Sequence, residues 1–437
     1  FDSDEVPETL AKQTEVQATY QLRAHELLGH DLVTPGTKDF GLGLATFQKL
    51  IAGTRIRFIS VNLYKTANDR RLLEPSAILE RKNSKGKPFR LGFIGVSYPS
   101  AHWGKHGLVA KDPKTLVLAE MKRLRPSVDQ IYLLSQLGQA GDEALAESVP
   151  GIDGIFGGRT QSLLQVPIEI EKTLIFQGSF RNQYIGSYNP QTREHKLLAL
   201  DPGYEPQDRS LPIVKLVAEF KTKIAEVNRK DAVKLSKQSA GPHSVSYQNF
   251  ARCAECHQTQ FDFWRHTPHA RALPPLVEAK QHENKDCLGC HTVGMGKKGG
   301  WESVSLLGEL APKAPGGKAV PWATLEMDTF LEEMIQAKSI ETPVRLRRAD
   351  SPIPLSQALT GIRQVWTPVQ CENCHSAGGE HPFGAGLYAK TVPDAQCLQC
   401  HTLARAPQWY GENGKIDKAR LKASRAKVSC PAAVPQS

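Results

Sequence analysis

The sequence lacks two features that would directly indicate a disulfide-rich protein or a membrane protein. None of its nine cysteines lies before residue 250, and no run of about 18 apolar residues is long enough to cross a bilayer. The first absence excludes disulfides from the N-terminal half, and the second predicts no membrane span within this chain. The 437 residues, 40% of them hydrophobic, are typical of a globular protein of two or three domains.

The chain also lacks an initiator methionine and a charged-then-apolar leader, since it begins at Phe1. We expect either that a signal peptide has been removed or that the sequence starts partway into the gene product. The formal net charge is +10, but the lysines and arginines are scattered and no basic stripe is interleaved with aromatic residues. Nucleic acid is therefore excluded as a predicted partner.

Eight of the nine cysteines belong to four Cys-x-x-Cys-His frames, at residues 253–257, 287–291, 371–375 and 397–401. A disulfide scaffold does not need a histidine after every second cysteine, and a chain of this length can bury a stabilising apolar core without disulfides. Zinc sites built from paired Cys-x-x-Cys units leave the repeated adjacent histidine unexplained. Neither alternative accounts for the frame.

Covalent haem accounts for all three residues. On one helical turn, positions i, i+3 and i+4 share a face, so two thiols can form thioethers while the histidine reaches the iron from the same side. We therefore predict four covalently bound c-type haems. The predicted thioether cysteines are Cys253, Cys256, Cys287, Cys290, Cys371, Cys374, Cys397 and Cys400. The predicted proximal iron ligands are His257, His291, His375 and His401.

Covalent haem attachment also predicts the compartment, because c-type haem is loaded outside the cytoplasmic membrane. We expect an exported protein, periplasmic or extracellular. Cys430 is left without a partner within the chain. Its interpretation as an idle thiol is favoured over an intermolecular disulfide.

Residues around the frames resemble the tetrahaem cytochrome c-554 family over about residues 247–401. The segments that carry the resemblance are "CAECHQTQFDFWRHTPHARAL", "DCLGCHTVGMGKKGGW" and "VQCENCHSAGGEH". The resemblance implies a mostly α-helical, loop-rich multihaem domain.

The same resemblance implies the distal ligands. It assigns His269 to the haem of His375 and His381 to the haem of His257, and it leaves the haem of His291 open. Relatives carry a further histidine downstream of the fourth frame, which this chain lacks. For the haem of His401 we expect His243 or His282, and after them the N-terminal domain or another chain.

The first half has a different pattern. Near-continuous apolar runs at residues 55–63, 89–98, 128–138 and 152–161 predict buried strands, and the last two end in turns. Apolar residues at helical spacing occur before these runs, at residues 15–30, and between the last two, at residues 142–149. Alternation of strand, helix and turn predicts a layered α/β domain.

These strand ends resemble the calcineurin-like metallophosphatases of the 5′-nucleotidase type, over roughly residues 15–190. Where that family has metal-binding or metal-supporting His and Asn residues, this chain has Thr37, Lys38, Gln136, Arg159 and Gln161, and among the aligned positions only Asp39 is retained. Protonated Lys and Arg nitrogens cannot donate a lone pair to a metal. We predict a degenerate domain without a metal pair or phosphatase activity, and the resemblance implies that the family's first strand would precede Phe1.

The predicted organisation is a metallophosphatase-like α/β domain at 1–205, an amphipathic helix and linker at 206–242, and the tetrahaem domain at 243–437. Apolar residues between Ile213 and Val227 form one stripe, which predicts the helix. The long insert at residues 292–370 holds one predicted helix, at 329–338.

The predicted function is electron transfer through four closely packed haems, with no catalytic residues in the chain. Expected partners are redox proteins, other cytochromes among them, and an oligomer is possible. Two alternatives stay open: a haem enzyme that acts on a small nitrogen or sulfur oxide at an open iron, and a subunit of a conducting cytochrome assembly.

Overall fold

The structure is a computed structural model of the full chain. It describes residues 6–82, 85–160, 163–178, 183–236, 247, 250–254, 256–272, 275–276, 279–294, 345–348, 351–354, 368–379, 381, 388–411 and 414–431. The chain divides into two compact units, Phe1–Phe220 and Lys221–Ser437.

A six-stranded mixed sheet forms the centre of the first unit. The strands of this unit are β1 (Leu32–Val33), β2 (Arg57–Phe58), β3 (Leu63–Lys65), β4 (Ser76–Lys82), β5 (Pro88–Val96), β6 (Leu108–Ala110), β7 (Gln130–Ser135), β8 (Gly154–Gly157), β9 (Ile168–Ile170), β10 (Thr173–Gln177), β11 (Tyr184–Asn189) and β12 (Glu194–Ala199). The sheet order is β4-β5-β7-β8-β10-β9, in which β5, β7, β8 and β10 run parallel and the two edge strands run antiparallel.

Helices α3 (Pro113–Leu124) and α4 (Gln139–Ser148) pack on this sheet. The unit also contains α1 (Glu8–Leu27) and α2 (Leu44–Ala52). One apolar core joins β5, β7, β8 and β10 to α3 and α4, and includes the fully buried Ile94, Val117 and Ile131. A second core surrounds Phe40 and Trp103. The predicted layered α/β fold class is confirmed for this unit.

The carboxyl ends of the parallel strands are lined by hydrogen-bonded polar side chains. Ser60 Oγ lies 2.9 Å from Ser97 Oγ, and Asn62 donates to the carbonyl oxygen of Ser97 at 2.9 Å. Further along this edge, Ser135 donates to Oδ1 of Asp142. Burial raises the pKa of Asp142 to about 6, because desolvation disfavours the charged form.

Helix α5 (Pro212–Ser236) is the amphipathic helix that the apolar stripe predicts, and it begins in the first unit and ends in the second. The second unit is loop-rich with short helices, as expected for a multihaem domain. Its other helices are α6 (Phe250–Ala254), α7 (Gln258–Trp264), α8 (Lys285–His291), α9 (Cys371–His375), α10 (Asp394–Leu398) and α11 (Lys418–Ala426). Strands β13 (Arg345–Arg348) and β14 (Ser351–Pro354) pair antiparallel. The predicted helix at 329–338 lies outside the described residues.

Two ion pairs, one half-exposed and one buried, hold the end of α5 to the residues around the start of α8. Arg229 Nη2 donates to Glu283 Oε2 at 2.7 Å, and the Glu283 side chain is 4% exposed. Lys285 Nζ lies 3.0 Å from Asp231 Oδ2, and both side chains are largely buried. Asn228 adds a hydrogen bond to the carbonyl oxygen of Glu283.

The raised pKa of Asp142 makes the stability of the first unit depend on pH. The folded state holds this proton more tightly than the unfolded state does, so the stabilisation is fully present below about pH 4 and is lost as pH rises through 6. We expect Asp142→Asn to gain up to about 3 kcal/mol on wild type between pH 4 and pH 7. Chemical unfolding at several pH values measures this gain, and a gain that does not grow with pH would contradict the burial argument.

Asp231→Asn should destabilise the second unit, because it removes the carboxylate that lies 3.0 Å from the buried Lys285 ammonium. The expected loss in the free energy of unfolding is about 3 to 5 kcal/mol. Glu226→Gln on the same helix is the control, since Glu226 forms exposed pairs with Lys223 and Lys230 and should cost less than about 1 kcal/mol. Denaturant titration followed at the haem absorbance band measures both, and equal losses would refute the assignment.

Candidate haem centre

Each Cys-x-x-Cys-His frame forms one helical turn, as predicted from its spacing. The second and third frames lie within α8 and α9. In the first, His257 N donates to the carbonyl oxygen of Cys253 at 2.9 Å; in the fourth, His401 N donates to that of Cys397 at 3.0 Å. Because these are i to i+4 hydrogen bonds, both cysteines and the histidine of each frame share a helical face. The donor set therefore fits a covalently attached haem.

Two of the predicted proximal histidines have one ring nitrogen already engaged by the main chain. His291 Nδ1 lies 2.7 Å from the carbonyl oxygen of Ala272, and His375 Nδ1 lies 2.8 Å from that of Ala389. A carbonyl accepts but cannot donate, so Nδ1 carries the proton and Nε2 keeps its lone pair. This is the tautomer that an iron ligand requires.

The other two proximal histidines each face a second histidine. The rings of His257 and His381 are nearly parallel, at 16°, with centroids 6.3 Å apart. The rings of His269 and His401 have centroids 6.1 Å apart, with 56° between their planes. Two imidazoles that bind one metal at about 2 Å each have ring centres roughly 6 Å apart. Both separations match that distance.

The position of His269 differs from the pairing implied by the resemblance, which assigns it to the haem of His375. Its ring lies against His401, because the turn that carries it, Pro268–Arg271, is folded towards the fourth frame. Burial lowers the pKa of His269, and the neighbouring His401 and His291 lower it further. A lowered pKa favours the neutral imidazole that can bind a metal.

The cysteines of the four frames are neighbours in two pairs. Cys371 lies beside Cys253, and Cys290 lies beside Cys400. The first frame is therefore near the third, and the second frame is near the fourth.

Polar side chains tie the frames to one another. Gln370 accepts from Phe250 N at 2.8 Å and so joins the starts of the third and first frames. Asn373, inside the third frame, donates to the carbonyl oxygen of Thr292 at 2.7 Å and accepts at its own carbonyl from Gln396 at 2.7 Å. Arg405 donates to the sulfur of Cys290. These hydrogen bonds help to fix the relative positions of the frames.

The remaining histidines of this half have different surroundings. His282 is half-buried, burial lowers its pKa, and its Nδ1 has no hydrogen-bond partner among the described residues. Within the described part of the chain, no ring contact joins His282 to a predicted proximal histidine. His266 lies 2.7 Å from the carbonyl oxygen of Asp262. His243 lies outside the described residues, so its assignment stays a prediction.

The residues that replace metal ligands in the first unit lie at the carboxyl edge of its sheet. Asp39 accepts a hydrogen bond from Gly36 N at 2.7 Å, and the Gln136 side chain lies close to Gly36. The Arg159 guanidinium stacks on the ring of Tyr98, 3.5 Å from its centroid. The lysine at 38 is exposed, the threonine at 37 is half-buried and the glutamine at 161 is not among the described residues. The predicted lack of metal and phosphatase activity stays a prediction.

Comparison of the sequence with known proteins finds one cytochrome family. Residues 252–309 match the family described as cytochrome c554 and c-prime. This segment resembles cytochrome c-554. The cytochrome c-554 of Nitrosomonas europaea is 36% identical over 70 residues, which cover 13% of this chain and 30% of that protein. The match supports a c-type cytochrome with covalently bound haem, and it spans less than a third of the curated relative.

The N-terminal half is similar in structure to 5′-nucleotidase-type metallophosphatases. The sulfate thiohydrolase SoxB of Thermus thermophilus has a TM-score of 0.42 and 23% identity, covering 48% of this chain and 39% of that one. A 5′-nucleotidase precursor from Thermus thermophilus has a TM-score of 0.41 and 17% identity, covering 49% and 47%. The phosphoesterase YfkN of Bacillus subtilis has a TM-score of 0.40 and 16% identity, covering 48% and 76%. These likenesses concern the fold alone. Both resemblances expected from the sequence are confirmed.

Some features of the centre have no signal in the sequence. The carbonyl acceptors of Ala272 and Ala389 belong to the main chain, which every residue has. Trp409 stacks on His401 with centroids 4.3 Å apart, and Tyr388 packs on His381 at 4.3 Å. An aromatic residue a few positions after a frame is a hint, but it is equally typical of a core residue.

Removal of either facing histidine should free one iron coordination position. We expect His269→Ala and His381→Ala each to convert one low-spin haem to high-spin, because each leaves one iron with a single imidazole. Optical and electron paramagnetic resonance spectra measure the change. His266→Ala is the control, since His266 bonds to a nearby carbonyl. Unchanged spin states in the first two variants would contradict the ring geometry as a guide to ligation.

Proposed function

We propose that this chain is an exported tetrahaem c-type cytochrome that carries electrons. The observation that carries the proposal is that all four Cys-x-x-Cys-His frames fold as helical turns, and that their histidines either have Nδ1 bonded to a main-chain carbonyl or face a second histidine at the separation of two ligands of one metal. Four haems attached within about 150 residues would lie close enough to exchange electrons directly. The similarity of residues 252–309 to a cytochrome family supports the same function.

The residues of the chain bind, orient and tune the haems. His257 with His381, and His401 with His269, would hold two of the irons. His291 and His375 would each hold one of the other two, and their Nδ1 hydrogen bonds keep the rings in place. When bound, haem supplies the one-electron chemistry, and the protein sets each potential through ligand, burial and nearby charge.

Export is part of the proposal, because covalent haem attachment takes place outside the cytoplasmic membrane. No helix within the described residues has the length and apolar content that a bilayer crossing needs. Redox proteins, other cytochromes among them, are the proposed partners. The N-terminal unit is proposed to serve as a scaffold, since its sheet edge carries Gln136 and Arg159 where a metal pair would need ligands.

Small-molecule chemistry at an open iron is a second candidate function. One observation favours it: within the described residues, no second histidine ring faces His291 or His375. An iron with one imidazole has a free position at which a small nitrogen or sulfur oxide could bind. Carbon monoxide binding to the reduced protein tests this, and a wild type that is fully low-spin and binds none would remove the enzyme alternative.

Intact mass should show four haem additions to the polypeptide, and haem staining after denaturing electrophoresis should persist. Cys371→Ala combined with Cys374→Ala should remove one addition, because both thioethers of the third frame are lost. Cys430→Ala is the matched control and should keep all four, since this cysteine belongs to no frame. Fewer than four additions in the wild type, or zinc in place of iron, would overturn the proposal.

A further inference from the structure

The lysines and arginines are scattered over the chain as a whole, but one short segment carries a local excess of them. Residues 414–431 contain six lysines and arginines and one acid, so their formal charge of +5 is half of the chain's +10. Most of these basic residues lie on α11 or directly beside it. A charge this local belongs to one surface of the second unit.

Three lysines of this segment carry its unbalanced charge. The Arg420 guanidinium is paired with Asp417 at 3.2 Å. The lysines at 418, 422 and 427 are exposed, and no carboxylate among the described residues pairs with them. The exposed side of α11 together with these three lysines is called the basic surface below.

The stability of α11 does not account for the basic surface. Lys418 and Lys422 are four positions apart, so their ammonium groups lie on the same side of the helix and repel each other. Lys418 also stands in the first turn, where the helix dipole disfavours a cation. Asp417 caps this end by accepting from Ala419 N at 2.9 Å, which offsets part of the cost.

Helix α11 is attached to the fourth haem frame through an aromatic residue. The helix packs against residues 407–409, and Asp417 N donates to the carbonyl oxygen of Trp409 at 2.8 Å. The Trp409 ring stacks on that of His401, with centroids 4.3 Å apart. One residue therefore contacts both the start of the helix and the predicted proximal ligand of the fourth frame.

Side chains of α11 add two further contacts with this frame. Arg420 Nη1 donates to the carbonyl oxygen of Tyr410 at 3.2 Å, and the Tyr410 hydroxyl donates to that of His401 at 2.9 Å. Arg425 donates to Asp394, the first residue of α10, the helix that carries the first cysteine of the frame. These contacts hold the basic surface in a fixed position beside the fourth frame.

The exposed side of α11 is charged and has no apolar anchor. Leu421 is the one bulky apolar residue of the helix and is 2% exposed, whereas the exposed residues are lysine, arginine and alanine. A helix that lies in a lipid interface presents Trp, Phe or Leu beside its basic residues. A charged surface without such residues is typical of electrostatically steered association with a protein of opposite charge.

We propose that the basic surface is the docking site for a redox protein that carries an acidic patch around its own cofactor. Docking there brings that cofactor next to the haem of the fourth frame. One electron then passes between the two cofactors, so that one is oxidised and the other is reduced. The proposal rests on the proposed function, because it requires haem attached at Cys397 and Cys400, and it adds the chemistry of the partner and the haem that meets it.

The test measures how fast reduced plant-type ferredoxin, an acidic [2Fe–2S] protein, reduces the oxidised holoprotein at several ionic strengths. We expect Lys418→Gln, Lys422→Gln and Lys427→Gln, combined in one variant, to slow the reaction at low salt about tenfold or more and to flatten its salt dependence. The matched control replaces the exposed lysines at 114, 122 and 172 of the first unit by glutamine. It removes the same charge and should slow the reaction less than about twofold. Arginine at 418, 422 and 427 should preserve the wild-type rate.

Intact mass, and reduction by the small neutral donor duroquinol, separate the possible failures. A wild type without four haems overturns the proposed function itself. With four haems attached, equal rates in the two glutamine variants overturn the docking proposal and leave the cytochrome function standing. Equal slowing with ferredoxin and with duroquinol would place the effect in the haem and likewise overturn it. So would binding to phosphatidylserine vesicles that depends on the three lysines, if the ferredoxin rates do not depend on them.

Discussion

The C-terminal unit depends on one geometric requirement, that each Cys-x-x-Cys-His frame must be a helical turn before both thiols and the imidazole can reach the same haem face. Four such turns are distributed over about 150 residues, which leaves little chain to build a separate apolar pocket around each. The described part of this unit meets the requirement with short helices and loops. Main-chain carbonyls and amide side chains, such as those of Gln370 and Asn373, fix the turns relative to one another.

The N-terminal unit is a layered α/β fold with an apolar core. A parallel sheet covered by helices has its polar groups at the carboxyl ends of its strands, the edge at which such folds usually carry chemistry. Here Ser60, Asn62 and Ser97 satisfy one another with neutral hydrogen bonds. Asp142 is the buried acid of this edge, and its raised pKa makes it costly to ionise.

Features of the structure that follow from side-chain chemistry and hydrophobic periodicity can be predicted from the sequence. The strands at residues 89–98, 128–138 and 152–161 are found as β5, β7 and β8, because buried parallel strands are apolar runs. The run at 55–63 is instead divided between β2 and β3, since isolated apolar runs do not specify where a strand bends. The resemblance assigns His381 to the iron of His257, and the two rings face one another. The neighbour of His269 is set by tertiary folding, and sequence spacing carries no information about it.

The use of main-chain carbonyls as acceptors has an evolutionary consequence. A hydrogen bond from a proximal histidine to an aspartate or asparagine side chain is lost by a single substitution. The carbonyls of residues 272 and 389 survive any change of side chain that preserves the turn. The orientation of His291 and His375 can therefore persist while the surrounding sequence drifts.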